Sequence, residues 1–133
     1  MTNAAKALIF RQDKLLILRR SNTHPLYALQ PDIPGGIVEP DETPEQALER
    51  EIFEEIGINI PVETTDLIYQ NQIRKNTEHY IYRLSLDDPD AEIKISWEHD
   101  DYYWQTINEV LNADYPDDLD HFMVEVIELL KTL

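Results

Sequence analysis

An α/β fold, with a sheet covered on both faces by helices, is what the order of elements in this sequence predicts. Three observations carry it: apolar strand-like runs come first, a capped amphipathic helix lies in the middle, and an apolar helical stripe closes the chain. A chain of 133 residues buries about two thirds of its unfolded surface and needs no linker. A single domain over residues 1–133 is therefore expected.

Ala5 to Phe10 and Leu15 to Leu18 are short apolar runs separated by Arg11-Gln12-Asp13-Lys14, which reads as a hairpin. Ser21 to Pro25 is loop by composition, and Ile33-Pro34-Gly35-Gly36-Ile37-Val38 is a turn feeding a short strand towards the next helix. Thr43 caps that helix, Pro44 takes its first turn and Gln46 reaches back to the cap. Ala47, Leu48, Ile52 and Ile56 repeat at helical spacing, and Gly57 offers the left-handed residue that commonly ends a helix, so the span is Pro44 to about Ile56. Asp66 to Arg74 and Glu78 to Leu86 are two longer strands joined by a turn at Lys75-Asn76-Thr77, and Asp87-Asp88-Pro89-Asp90 breaks the pattern. A further strand is expected at Ile93 to Trp97, then an acidic loop, then a strand at Tyr102 to Gln105. Thr106 and Glu109 form a second capping box before a short helix, Ile107 to Asn112. The last helix is expected to start at Asp117 or Asp118 and to bury Leu119, Phe122, Val126, Leu129, Leu130 and Leu133. Its acidic polar face disfavours a membrane.

Composition excludes several functions. Eleven basic against 27 acidic side chains give a net charge of −16, a field that repels DNA and RNA polymers. A small phosphorylated substrate remains compatible, because a bound metal ion would dominate the local potential. The absence of cysteine removes disulfides, thiol nucleophiles and thiolate metal sites together. The sequence shows no internal repeat, no signal-peptide pattern and no apolar run of membrane-spanning length, so a cytoplasmic protein, monomer or homodimer, is expected.

The middle helix breaks a local rule. Glu51, Glu54 and Glu55 lie three and four residues apart on one face, where like charges cost about 0.2–0.5 kcal/mol per pair and acids oppose the helix dipole at its C-terminal end. Such violations are expected at functional sites, and three carboxylates make a hard-oxygen site suited to Mg²⁺ or Mn²⁺. Taken alone, a Glu-rich helix face is ordinarily solvated surface. Its surroundings change that reading, because the segment fits one register: Gly36-x5-Glu42-x7-Arg50-Glu51-Ile52-x-Glu54-Glu55-x-Gly57-Ile58. Seven fixed identities and two apolar positions coincide by chance on the order of once in a billion starting points. The segment is a complete Nudix box, and the chain resembles the Nudix hydrolases.

That resemblance implies an α/β/α sandwich with a mixed central sheet, and water attacking a phosphorus atom of a pyrophosphate link with Mg²⁺ or Mn²⁺ as cofactor. It implies Glu51, Glu54 and Glu55 as metal ligands with Gly36 in the same site, and Glu54 or Glu55 also assisting the water as base. Arg50 would hold the glutamates in position, and Glu42 is a weaker ligand candidate that also suits a helix N-terminus. Glu98, in Trp97-Glu98-His99-Asp100-Asp101 ahead of an aromatic strand, resembles the further acid that members carry outside the box. Arg19, Arg20, Arg74 and Arg83 are candidates for phosphate binding by their placement at strand ends or faces. His99 reads as a hydrogen-bonded histidine rather than a ligand, while His24, His79 and His121 carry no pattern. Tyr27, Trp97 and Tyr102 are of a type that stacks on a base, although aromatics at strand spacing are more often core.

Two positions depart from the family pattern: Pro31 stands where many members have tryptophan, and Asp41 where many have glycine. The isomerase branch of the fold uses a cysteine, which this chain lacks. The favoured function is a MutT-like nucleoside triphosphate pyrophosphohydrolase, with a nucleotide-sugar or ADP-ribose hydrolase as the nearest alternative. A non-catalytic nucleotide-binding module of this fold has no need of the intact glutamates, and the loop spacing of an EF-hand is absent.

Overall fold

A computed structural model of the chain describes residues 1–133. Its elements in order are β1 (Thr2–Arg11), β2 (Lys14–Arg20), β3 (Pro31–Asp32), β4 (Gly35–Ile37), α1 (Pro44–Ile56), a 3₁₀ turn (Thr64–Asp66), β5 (Leu67–Arg74), β6 (Thr77–Ser85), β7 (His99–Thr106), α2 (Ile107–Asn112) and α3 (His121–Leu130). Seven strands form one mixed sheet. β1 is its central strand, parallel to β6 from Thr2 opposite Thr77 to Phe10 opposite Ser85, and every other pairing is antiparallel. An apolar run buried on both faces is the signature of such a strand, and β1 is buried without interruption from Ala4 to Phe10.

Alternation along β1 feeds two cores. Ala5, Ala7 and Ile9 pack with Leu48, Ile52 and Ile56 of α1, while Leu8 and Phe10 pack on the other face with Val110 of α2 and with Phe122, Met123, Val126 and Leu130 of α3. The result is the expected α/β/α arrangement with a mixed sheet. Both capping boxes form as read: Thr43 with Gln46 opens α1, and Thr106 with Glu109 opens α2. Gly57 ends α1 at φ 73°, a conformation that any larger residue adopts only with strain.

The β1–β2 hairpin is shorter than its apolar runs imply. Only Phe10 with Leu15 and Arg11 with Lys14 pair directly. Beyond them the strands splay: β4 takes the freed edge of β1 at Ala4 to Lys6, and β3 takes that of β2 at Leu18 and Arg19. The Pro31–Ile37 segment is thereby wedged between the two opening strands, which fixes Gly35 and Gly36 against the centre of the sheet. Pro31 sits at the start of the two-residue edge strand β3, a position that needs no N–H donor.

Two expectations are corrected. Ile93 to Trp97 is not a strand. Its backbone instead caps the open end of α1, with Lys94 N–H donating to the Ile56 carbonyl at 2.9 Å and Ser96 N–H to the Glu55 carbonyl at 3.1 Å, while Ile93 and Ile95 pack on the α1 core. The last helix begins at His121 rather than near Asp117, because Asp120 is its cap and accepts from the Phe122 N–H. Leu119 and Leu133 therefore flank α3 instead of lying in its stripe. No helix is long and apolar enough to cross a membrane.

Ile52 is fully buried between α1 and the sheet. Ile52→Ala should lower the free energy of unfolding by about 2–5 kcal/mol, read as a reduced urea midpoint at unchanged slope; a loss below about 0.5 kcal/mol would contradict this packing.

Candidate active site

α1 lies on β4 so closely that one side chain takes the place of another. A Cβ on Gly36 would fall 2.6 Å from Cδ of Glu51 and 2.7 and 2.8 Å from its two oxygens, so the Glu51 carboxylate sits on the bare Cα of Gly36. One turn further along, Glu55 is 4% exposed and its Oε2 accepts from the Gly35 N–H at 3.3 Å. The two consecutive glycines thus meet two carboxylates of one helix face. Glu54, round the helix, has a half-exposed side chain at the rim.

Arg50 organises this face. Its guanidinium grips Glu42 as a two-pronged fork, Nε to Oε2 at 2.8 Å and Nη2 to Oε1 at 2.9 Å. From the same group Nη1 donates to Glu51 at 2.9 Å and reaches Glu54 at 3.3 Å, and Nη2 also donates to the Ile37 carbonyl at 3.2 Å. Guanidinium geometry suits this role, because one rigid plane offers five donors. The fork, with help from the Glu39 N–H, holds the Glu42 carboxyl down to about 2.

The charges on the buried face are poorly compensated. Burial pushes the Glu55 carboxyl well above its ordinary range; neighbouring Asp32 and Glu51 push the same way, against Lys6 and the Gly35 N–H. Glu51 is also raised, by burial first, with Arg50 opposing. Glu55 makes no ion pair at all, unlike Glu42, Glu51 and Glu54. No three acidic or histidine side chains converge on one point, because Glu51 and Glu54 are turned onto Arg50. The shared face read from the sequence is present, but the carboxylates on it are not yet gathered around a common centre.

This arrangement can be set beside known proteins. A model of the NUDIX domain matches residues 1–130. The chain belongs to the Nudix family. It is 33% identical over 129 residues to the nucleoside triphosphatase NudI of Escherichia coli strain K12, covering 90% of this chain and 85% of that protein. A MutT-like protein of Streptomyces ambofaciens is 37% identical over 68 residues, half of this chain and 41% of that longer protein. Among solved structures, a MutT protein from Methanosarcina mazei Go1 superposes with a TM-score of 0.78 at 27% identity, covering 98% of this chain and 93% of that one.

The arginines expected on phosphate separate into two groups in this Nudix fold. Arg20 and Arg74 line one cleft together, beside Gly36. Arg19 and Arg83 do not join them. Arg19 is bound to Asp100 at 2.7 Å, and Arg83 lies over the Phe10 ring at 4.6 Å. Glu98 faces His24 at 3.8 Å, on a loop that the Ser96 N–H ties to the end of α1. His99 is a buried hydrogen-bonded residue, with Nε2 3.2 Å from Asp32. Trp97 is 71% exposed, Tyr102 packs against the α1 core, and Tyr27 sits at φ 54° with the Arg20 and Arg74 guanidiniums each 5.8 Å from its ring. His121 opens α3 on the surface.

Sequence reasoning passed over Lys6, Asp32, His79 and Asp120, all buried around the same cleft. Asp32 accepts from Lys6 at 3.2 Å; burial alone would raise its carboxyl, but Lys6, His99 and Arg20 hold it far below the usual range. One signal was available. A lysine inside Ala-Ala-Lys-Ala-Leu-Ile-Phe is out of place in a buried strand unless a partner waits for it.

His79 packs its ring 5.0 Å from Phe122, and burial, then Arg74 and Lys6, push its imidazole down from 6.5 to about 4. His24 is lowered as well, mainly by burial and Arg20. On acidification the unfolded chain takes up these protons first, so the stability gained from neutral His79 is complete above pH 6.5 and is lost between pH 6.5 and about 4. Across that window wild type should lose more stability on acidification than His79→Gln, read by urea unfolding of both proteins at each pH; the same pH dependence in the two would refute the assignment.

Proposed function

We propose that this chain, acting as one domain over residues 1–133, hydrolyses the pyrophosphate link of a nucleoside diphosphate derivative with a divalent cation, and that a nucleoside triphosphate is its substrate. The observation that carries this reading is Glu55, a carboxyl that is 4% exposed, has no ion-pair partner and lies beside the Glu51 carboxylate. A buried acid without a cation is costly unless something supplies the missing charge. Oxygen donors alone suit Mg²⁺ or Mn²⁺, and Glu51, Glu54 and Glu55 beside Gly36 are the residues that would hold it. When bound there, the ion supplies charge neutralisation for an in-line phosphoryl transition state and acidifies water.

The chain's own residues have separate tasks. Gly36 leaves the space that the Glu51 carboxylate fills, and the Gly35 N–H orients Glu55. Arg50 is a positioning residue, fixing Glu42 and Glu51 while its longer contact to Glu54 leaves that side chain half exposed. Glu54 or Glu55 receives the proton of the attacking water, and Glu98 is a further acid on the loop tied to α1. The relative named nucleoside triphosphatase, matched over 85% of its own length, supports a triphosphate over a nucleotide sugar.

Incubation with Mg²⁺ and a panel of nucleoside triphosphates, ADP-ribose and nucleotide sugars tests this directly. Triphosphates should yield the nucleoside monophosphate and pyrophosphate, and Glu55→Gln should lower kcat by about 100-fold or more. Preferred cleavage of a nucleotide sugar would move the substrate class. A folded protein that binds these compounds without turnover, or a Glu55→Gln variant of undiminished activity, would overturn the proposal.

A further inference from the structure

Lys6 of β1, Arg20 of β2 and Arg74 of β5 converge on a cleft of about 130 Å³, with His79, Phe122 and Gly36 completing its wall. Two buried carboxylates hold the cations from behind. Lys6 Nζ is 3.2 Å and Arg20 Nε 3.5 Å from Asp32; Arg20 Nη2 is 3.4 Å from Asp120, which Arg74 also meets. Three cations thus gather on one cleft in a chain of net charge −16, with Asp32 and Asp120 in contact behind them and the Glu51 and Glu55 carboxyls near Lys6 on the α1 side.

Donors remain to be satisfied there. Lys6 has three N–H groups and one acidic partner. Arg20 is 6% exposed, yet its Nε has no hydrogen bond of acceptable geometry, and Nδ1 of the buried His79 has none either. The cleft, about 130 Å³, has room for a phosphoryl group.

We propose that this cleft takes one phosphoryl group of the substrate and that Lys6 donates to it directly, alongside Arg20 and Arg74. Gly36 forms part of the cleft wall and also carries the Glu51 carboxylate on its bare Cα, so the group held here adjoins the phosphoryl group that the glutamates serve. The assignment rests on the pyrophosphohydrolase reading for its biological meaning, but the anion pocket can be measured without metal or turnover.

Inorganic pyrophosphate is the probe, titrated calorimetrically into the full chain in the presence of a chelator. Wild type should bind it, Lys6→Met should weaken binding by about tenfold, and Lys6→Arg should recover most of the loss. In steady-state assays Lys6→Met should raise KM for the nucleotide more than it lowers kcat. If Lys6→Met does not fold, Arg74→Gln, altering a side chain that is 35% exposed, should show the same weakening. No pyrophosphate binding by wild type, or unchanged affinity in a Lys6→Met protein with the wild-type melting temperature, would overturn the proposal. Pyrophosphate binding with no hydrolysis of any nucleotide would instead sink the enzymatic reading and leave the pocket standing.

Discussion

One close approach governs the site: α1 lies so near β4 that the Glu51 carboxylate occupies the volume where a side chain at Gly36 would be. That spacing requires the wedge of Pro31–Ile37 between splayed β1 and β2, which presses both glycines against the centre of the sheet. It also requires the apolar stripe of Leu48, Ile52 and Ile56, which turns the adjacent acidic face of the helix onto the glycines. Packing thus forces charge into a place where local electrostatics resists it.

The rest of the design compensates for that charge with very few cations. Arg50 serves Glu42, Glu51 and Glu54 at once, while Lys6, Arg20 and Arg74 are shared between Asp32 and Asp120. Buried ion pairs add little net stability compared with apolar packing. What these networks secure is position: the first fixes the acidic face of α1, and the second points cations from three strands into one cleft. Glu55 stands between them with only a backbone N–H to bind it, and its environment is the least comfortable for an anion.

Features decided by neighbouring residues are legible in the sequence. Both capping boxes, the Gly57 terminus and the order of the principal elements follow from residues within four positions of each other. Ile93 to Trp97 has the apolar alternation of a strand, but in the fold that alternation covers the end of α1 rather than pairing with a strand. The start of α3 moved to Asp120 because that side chain is also tied to Arg20 and Arg74, across separations of 100 and 46 residues. Lys6 and Asp32 are illegible for the same reason: a lone lysine or aspartate acquires meaning only when the fold brings its partner. Neighbouring Arg19 and Arg20 illustrate the limit most directly, since the strand sends one to a surface aspartate and the other into the cleft.

The seat of Glu51 on Gly36 is tested most directly by Mn²⁺ titration, followed by electron paramagnetic resonance, of wild type and Gly36→Ala. Wild type should take up the ion, and the added methyl group, by displacing the carboxylate, should weaken uptake by about tenfold or more. Equal Mn²⁺ affinity in a folded Gly36→Ala protein, or no uptake by wild type, would contradict the account.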